Sequence, residues 1–180
     1  MEDREELIRK KIEEEESIEQ IQLEGIKQRV WELLIKDKRF KREDIQINQR
    51  CRLVLSDCET TVDIDFIVNL PSASFMVIKC AYASIESWER YIIAVARAIK
   101  DYQIPYAMVT DGEHAKIFDV MNGSLLGDSM KSLFTRQEAM KIIEGIKKIP
   151  YPAEKIDRER RIIYAFEGIK CPVVNEKKNE

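Results

Sequence analysis

Apolar residues in the first part of the chain recur at helical spacing and then change to alternation, and that change of period marks out the elements. Ile26, Val30, Leu33 and Leu34 follow the i, i+4, i+7, i+8 pattern of a helix buried along one stripe. The stretch before Gln20 is mostly charged, with only Leu7, Ile8, Ile12 and Ile18 apolar. Residues 3 to 36 therefore predict helix in two pieces, separated near Gly25, because glycine inside a helix costs about 1 kcal/mol relative to alanine. The charged piece, residues 1–19, reads as an arm offered to a second copy of the chain or to another protein.

After a basic segment, residues 46–55 alternate as a strand does, and Ser-Asp-Cys-Glu supplies a turn. A second strand is expected from Thr61 to about Leu70. Pro71, Ser72, Ala73 and Ser74 punctuate it, and Phe75 to Cys80 forms a third strand whose nearly continuous apolar run suits the centre of a sheet. From Ile85 to about Tyr102, Trp88, Ile92, Val95, Ala96 and Ile99 return to helical spacing, with Ser84 or Ser87 as caps. A short strand then ends in Asp111-Gly112, and Asn122-Gly123 marks a further turn between two strands. Thr135 with Glu138 forms a capping box for a helix through Lys148, Pro150 and Pro152 interrupt it, and Ala153 to Ile169 make another. The pattern predicts an α+β fold in which helices flank a mixed central sheet, with core order αβββαβ over residues 20–130. Residues 131–173 form a C-terminal helical extension, and 174–180 a flexible tail.

Composition narrows the function classes. The 180 residues are 44% hydrophobic and 35% charged, and no apolar run approaches the roughly 20 residues that span a bilayer. The first residues have no apolar core of a secretory signal, so a cytoplasmic protein with no membrane contact is expected. Cys51, Cys58, Cys80 and Cys171 lack C-x-x-C spacing and read as free thiols. The only histidine, His114, sits in a turn, which excludes a histidine-rich metal site. A net charge of −3 argues against indiscriminate polyanion binding. Charge is uneven, however: Lys36, Lys38, Arg39, Lys41 and Arg42 cluster, as do Arg158, Arg160 and Arg161. Lys38, Arg39, Lys41 and Arg42 are the candidate phosphate contacts. The plainer reading is that the first cluster complements a helix C-terminus and the second lies on a solvated helical face.

Candidate chemistry is concentrated between Val62 and Cys80. Residues two apart on a strand share a face, so Asp63 and Asp65 point one way while Val62, Ile64 and Phe66 point the other, and Val77 and Lys79 share a face likewise. With a turn near Ser72, antiparallel pairing sets Asp65 across from Lys79 or Val77. Phosphodiester hydrolysis requires divalent cations held by carboxylates, with a lysine to orient the attacking water, and an acid on one strand with (D/E)-x-K on the next is the residue set for that task. An Asp65–Lys79 ion pair with no catalytic use is the alternative. No Walker motif is present, so the chain supplies no ATP-driven translocation.

Across roughly Glu24 to Val120 the sequence resembles the N-terminal domain of type I restriction enzyme R subunits, members of the PD-(D/E)XK nuclease superfamily, and especially its short stand-alone relatives. The residues that carry the likeness are L-E-G-I-K-Q-R-V, V-D-I-D-F-I-V, F-M-V-I-K-C and A-R-A-I-K-D-Y-Q-I-P-Y-A-M-V-T-D-G. The resemblance implies a restriction-endonuclease-like fold and DNA as partner. It implies Asp65, Lys79 and Glu24 as catalytic positions, with Asp65, Asp63 and Glu24 around Mg²⁺. The family's acid before the lysine falls on Val77, and its glutamine and tyrosine on Tyr91 and Val95, so Mg²⁺ would be held weakly or not at all. Glu89 could restore the missing carboxylate from the following helix. Three readings stay open: a catalytically degenerate nuclease fold that associates with nucleic acid, an active Mg²⁺-dependent endonuclease with a displaced carboxylate, and a structural or oligomerisation module.

Overall fold

A computed structural model describes residues 4–170. Its centre is one six-stranded mixed sheet in sequential order β1-β2-β3-β4-β5-β6. The strands are β1 (Ile45–Val54), β2 (Glu59–Leu70), β3 (Ala73–Cys80), β4 (Tyr106–Thr110), β5 (His114–Asp119) and β6 (Leu125–Ser129). All neighbours are antiparallel except β3 and β4, which run parallel. A parallel pair needs a crossover, and α2 (Glu89–Ala98), preceded by a 3₁₀ turn at Ile85–Trp88, provides it. The remaining helices are α1 (Arg4–Glu32), α3 (Arg136–Gly145) and α4 (Ala153–Lys170). The α+β class and the core order αβββαβ are those of the sequence pattern.

Each sheet face has its own apolar layer. On one, Ile26, Val30 and Leu34 from the first helical segment and Ala139 and Ile143 from α3 pack with Phe66, Val68, Phe75, Met76, Ile78 and Met108. On the other, α2 contributes Tyr91 to Ala96, and α4 contributes Ile163, over Ile64, Ile67, Val77 and Val109. The strands buried on both sides are the ones whose sequence is apolar without alternation. In β3 every residue from Ser74 to Cys80 is buried, and burying each large apolar side chain contributes roughly 1.5–3 kcal/mol.

Several expectations change in detail. α1 runs through Gly25 without a break and continues as a π-helical turn at Leu33–Asp37. The cost of one glycine is small beside the burial of Ile26, Val30 and Leu34, which hold the helix on the sheet. The second helix is shorter than its apolar spacing implied, beginning with a 3₁₀ turn and ending at Ala98, and α3 stops at Gly145 rather than Lys148. The Thr135–Glu138 capping box is present. Ile64 and Phe66, placed on one face by strict alternation, pack into different layers. The cause is local: Asn48 adopts φ +51°, and the β1–β2 ladder pairs Ile47 with Phe66 and Gln49 with Ile64 while omitting the pair opposite Asp65. Cys171 and the tail at 174–180 lie outside the described residues, as do residues 1–3 of the arm.

Candidate functional site

The β2–β3 hairpin delivers an aspartate and a lysine to the same place. Its register, Phe66 with Ile78 and Ile67 with Val77, continues to Asp65 opposite Lys79. Main-chain pairing between the strands stops at Phe66, and the Asp65 carboxylate takes over: Oδ2 accepts from the Cys80 backbone N–H at 2.8 Å and from Lys79 Nζ at 3.0 Å. Both residues are buried, Asp65 at 5% and Lys79 at 7% exposure. A buried charge persists only when it is paired and hydrogen-bonded.

The other oxygen is engaged as well. Lys27 Nζ, from α1, lies 3.2 Å from Asp65 Oδ1, 3.7 Å from Glu24 Oε1 and 2.9 Å from Asn48 Oδ1. Three oxygens thus converge on one ammonium group, and the left-handed backbone at Asn48 presents the amide oxygen to it. Lys27 stands in L-E-G-I-K, but sequence reasoning gave it no role. The available signal was its i, i+3 spacing from Glu24, which places both on one side of a helix.

Val77 is fully buried in the layer beneath α2. The space beside Lys79 is aromatic: its ammonium lies 5.1 Å from the centre of the Trp88 ring, which packs edge-on against Tyr91 at 5.3 Å and against Phe166 of α4 at 5.5 Å. Tyr91 donates a very short hydrogen bond to the buried Glu167, also on α4. Burial, with the negative charge of Glu167 and Asp65 beyond it, pushes the Tyr91 phenol up, so it remains a protonated donor. α4 is further anchored by Glu159, which is 2% exposed and bound by Arg90, Arg97 and the Tyr151 hydroxyl.

The other sequence candidates lie elsewhere. Asp63 is exposed and paired with Arg50 of β1 at 2.8 Å, so it does not join Asp65. Glu89 is held by Lys116 of β5 at 2.5 Å, with Glu86 at 3.6 Å from the same ammonium. Glu24 is exposed at the edge of the cluster and reaches it through Lys27. Of the basic segment, Lys41 pairs with Glu43, Lys38 donates to the Lys131 carbonyl, and Arg39 is exposed at φ +61° beside the exposed Arg42. About ten residues of helical rise, roughly 15 Å, separate this segment from Lys27. Among the described residues no group of three His, Cys, Asp or Glu side chains converges as a bound metal ion would require.

The turn at Thr110-Asp111-Gly112 also has a structural use. The Asp111 carboxylate accepts the backbone N–H groups of Glu113 and His114, and Gly112, at φ +90°, lies under Arg29 of α1, whose Nε would stand 2.7 Å from any Cβ placed there. Arg29 donates to the Asp111 carbonyl across this contact. The turn thereby fixes α1 over the β4–β5 end of the sheet.

A mixed sheet with α1 on one face, a crossover helix on the other and a buried lysine–aspartate cluster at the strand ends defines an α+β domain built around an internal charge site. The profile of the family described as type I restriction enzyme R protein N terminus matches residues 22–133. That is well over half of the chain, which belongs to this family. No curated protein and no solved structure matches it. The match leaves α3, α4 and the arm outside. Among the described residues no helix is long and apolar enough to cross a membrane.

Proposed function

We propose that this chain is a PD-(D/E)XK-type nuclease fold that no longer cuts and instead associates with DNA. The observation that carries the first half is the occupancy of Asp65. Its oxygens lie 3.0 and 3.2 Å from two lysine ammonium groups, and Lys27 takes a position between Glu24 and Asp65 that suits a cation. A divalent ion there would have to displace Lys27 while gaining only one buried carboxylate, because Val77 offers neither oxygen nor charge. The residues present do not fit Mg²⁺. Rescue by Glu89 is disfavoured by its engagement with Lys116.

The second half draws on family membership and on the basic segment Lys38, Arg39, Lys41 and Arg42 that follows the first helix. Binding of this kind neutralises phosphates, releases counterions and weakens steeply with salt. Two experiments test the proposal. Calorimetric titration of Mg²⁺ and Mn²⁺ into wild type and Asp65→Ala should give no saturable heat at millimolar metal; saturable binding lost in the variant would overturn the non-catalytic reading and call for a cleavage assay with Lys79→Ala as control. Titration of labelled duplex DNA should show a salt-dependent affinity. Charge reversal at Lys38, Arg39 and Arg42 should weaken it on all sequences alike. Affinity indifferent to salt and to the reversal would sink the DNA assignment.

A further inference from the structure

Every residue of α1 from Arg4 to Gln22 is exposed. The arm nevertheless carries Leu7 at 50%, Ile18 at 55% and Ile21 at 69% exposure. These apolar residues belong to one seam of the helix, Arg4, Leu7, Lys11, Glu14, Ile18 and Ile21, with alternating steps of three and four. That is the spacing of positions facing a partner helix in a coiled coil.

We propose that two copies of the chain pair through their arms, antiparallel, about a two-fold axis between Ile12 and Glu13. The charge order along the arm selects both partner and direction. Arg9, Lys10 and Lys11 form a basic block, and Glu13, Glu14, Glu15 and Glu16 an acidic one. In a parallel pair each block would face its own copy, setting four glutamates against four. Reversing one helix brings the basic block of each copy level with the acidic block of the other. With the axis between Ile12 and Glu13, Leu7 meets Ile18 of the second copy, Lys11 meets Glu14, and Ile21 packs on the stem of Arg4. Each layer occurs twice by symmetry, as an isologous interface requires.

The neighbouring seam through Ile8 and Ile12 does not work in this way. Aligning Ile8 with Ile12 of a second copy continues that seam through Glu5 and Glu15, which then face each other. Like charges then meet in the seam. The arm spans about 27 Å from Arg4 to Ile21, and the core begins to hold α1 only near Glu19, where the Tyr82 hydroxyl donates to Glu19 Oε1 at 2.6 Å. Two globular bodies therefore sit at opposite ends of the paired arms.

Sedimentation velocity of the full chain at low salt tests the pairing. At about 100 μM protein, wild type should sediment at twice the 21.1 kDa of one chain and shift toward monomer as salt is raised, since exposed charge pairs are screened. Lys10→Glu with Lys11→Glu should be monomeric alone, as should Glu14→Lys with Glu15→Lys, while an equimolar mixture of the two restores the dimer. Far-UV circular dichroism of each variant confirms that the helix is retained. A wild type that stays at monomer mass, reversed variants that dimerise as wild type does, or a mixture that fails to associate would each overturn the proposal.

Discussion

Replacing Asp65 by alanine removes three interactions from one buried point: the acceptor of the Cys80 N–H, the partner of Lys79 and the nearest carboxylate to Lys27. An orphaned buried N–H costs about 1–3 kcal/mol, and truncating one side of a buried ion pair costs about 3–5 kcal/mol. These losses overlap. Lys27 also keeps Asn48 and Glu24, so the total expected for Asp65→Ala is about 3–5 kcal/mol. Asp65→Asn retains an oxygen for the Cys80 N–H and should cost less. Lys79→Met keeps an apolar stem beside Trp88, leaves Asp65 with Lys27 and the backbone donor, and should cost about 1–2 kcal/mol. Urea unfolding with a constant m-value measures all three. The order Ala at 65, then Asn at 65, then Met at 79 follows from Asp65 being the hub; Lys79→Met as costly as Asp65→Ala, or Asp65→Ala costing under about 1 kcal/mol, would refute it.

Gly112→Ala should destabilise by about 1–3 kcal/mol, because φ +90° is strained for alanine and its Cβ meets Arg29; thermal unfolding reads this, and Arg29→Ala should recover only the contact component. The His114 imidazole, bonded to Asp111 at 3.0 Å, titrates above 6.5, so the stabilisation from this pair is present below that value and lost as pH rises through the folded pKa; NMR of this one histidine should show its pKa falling toward 6.5 in Asp111→Asn. Burial alone would raise the Glu159 carboxyl, but Arg90, Tyr151 and Arg97 outweigh it and hold it below 4.5. Its contribution to α4 docking is then complete above pH 4.5 and lost as pH falls through the folded pKa, which hydrogen exchange in α4 monitors. Cys80 is buried, so mass spectrometry of the native protein should find its peptide unlabelled by maleimide while the partly exposed Cys51 and Cys58 react.

The meeting of Asp65 and Lys79 was legible because both lie on short strands joined by a tight turn, where alternation and pairing suffice to put side chains together. The choice between Lys79 and Val77 was not, since a register irregularity at Val68 and Asn69 contributes to it. The pairing of Asp63 with Arg50 is hidden for a related reason. Strict period two says nothing about Asn48, whose left-handed backbone breaks the ladder opposite Asp65. Lys27 is not legible in the sequence because Glu24–Lys27 spacing is common on solvated helices, and only packing against β2 distinguishes this instance. The Tyr91–Glu167 contact joins residues 76 apart in sequence, and no local pattern encodes such a pair.

The unbroken course of α1 has a mechanical meaning. Without a hinge at Gly25, the arm and the segment bearing Glu24 and Lys27 form one rod, clamped to the sheet from Ile26 onward. Force applied near Leu7 acts on a long lever whose fulcrum is the edge of the core, and the short side of that lever carries the ammonium that occupies Asp65. The outer end of the arm and the ammonium beside Asp65 are thus carried on one unbroken helix.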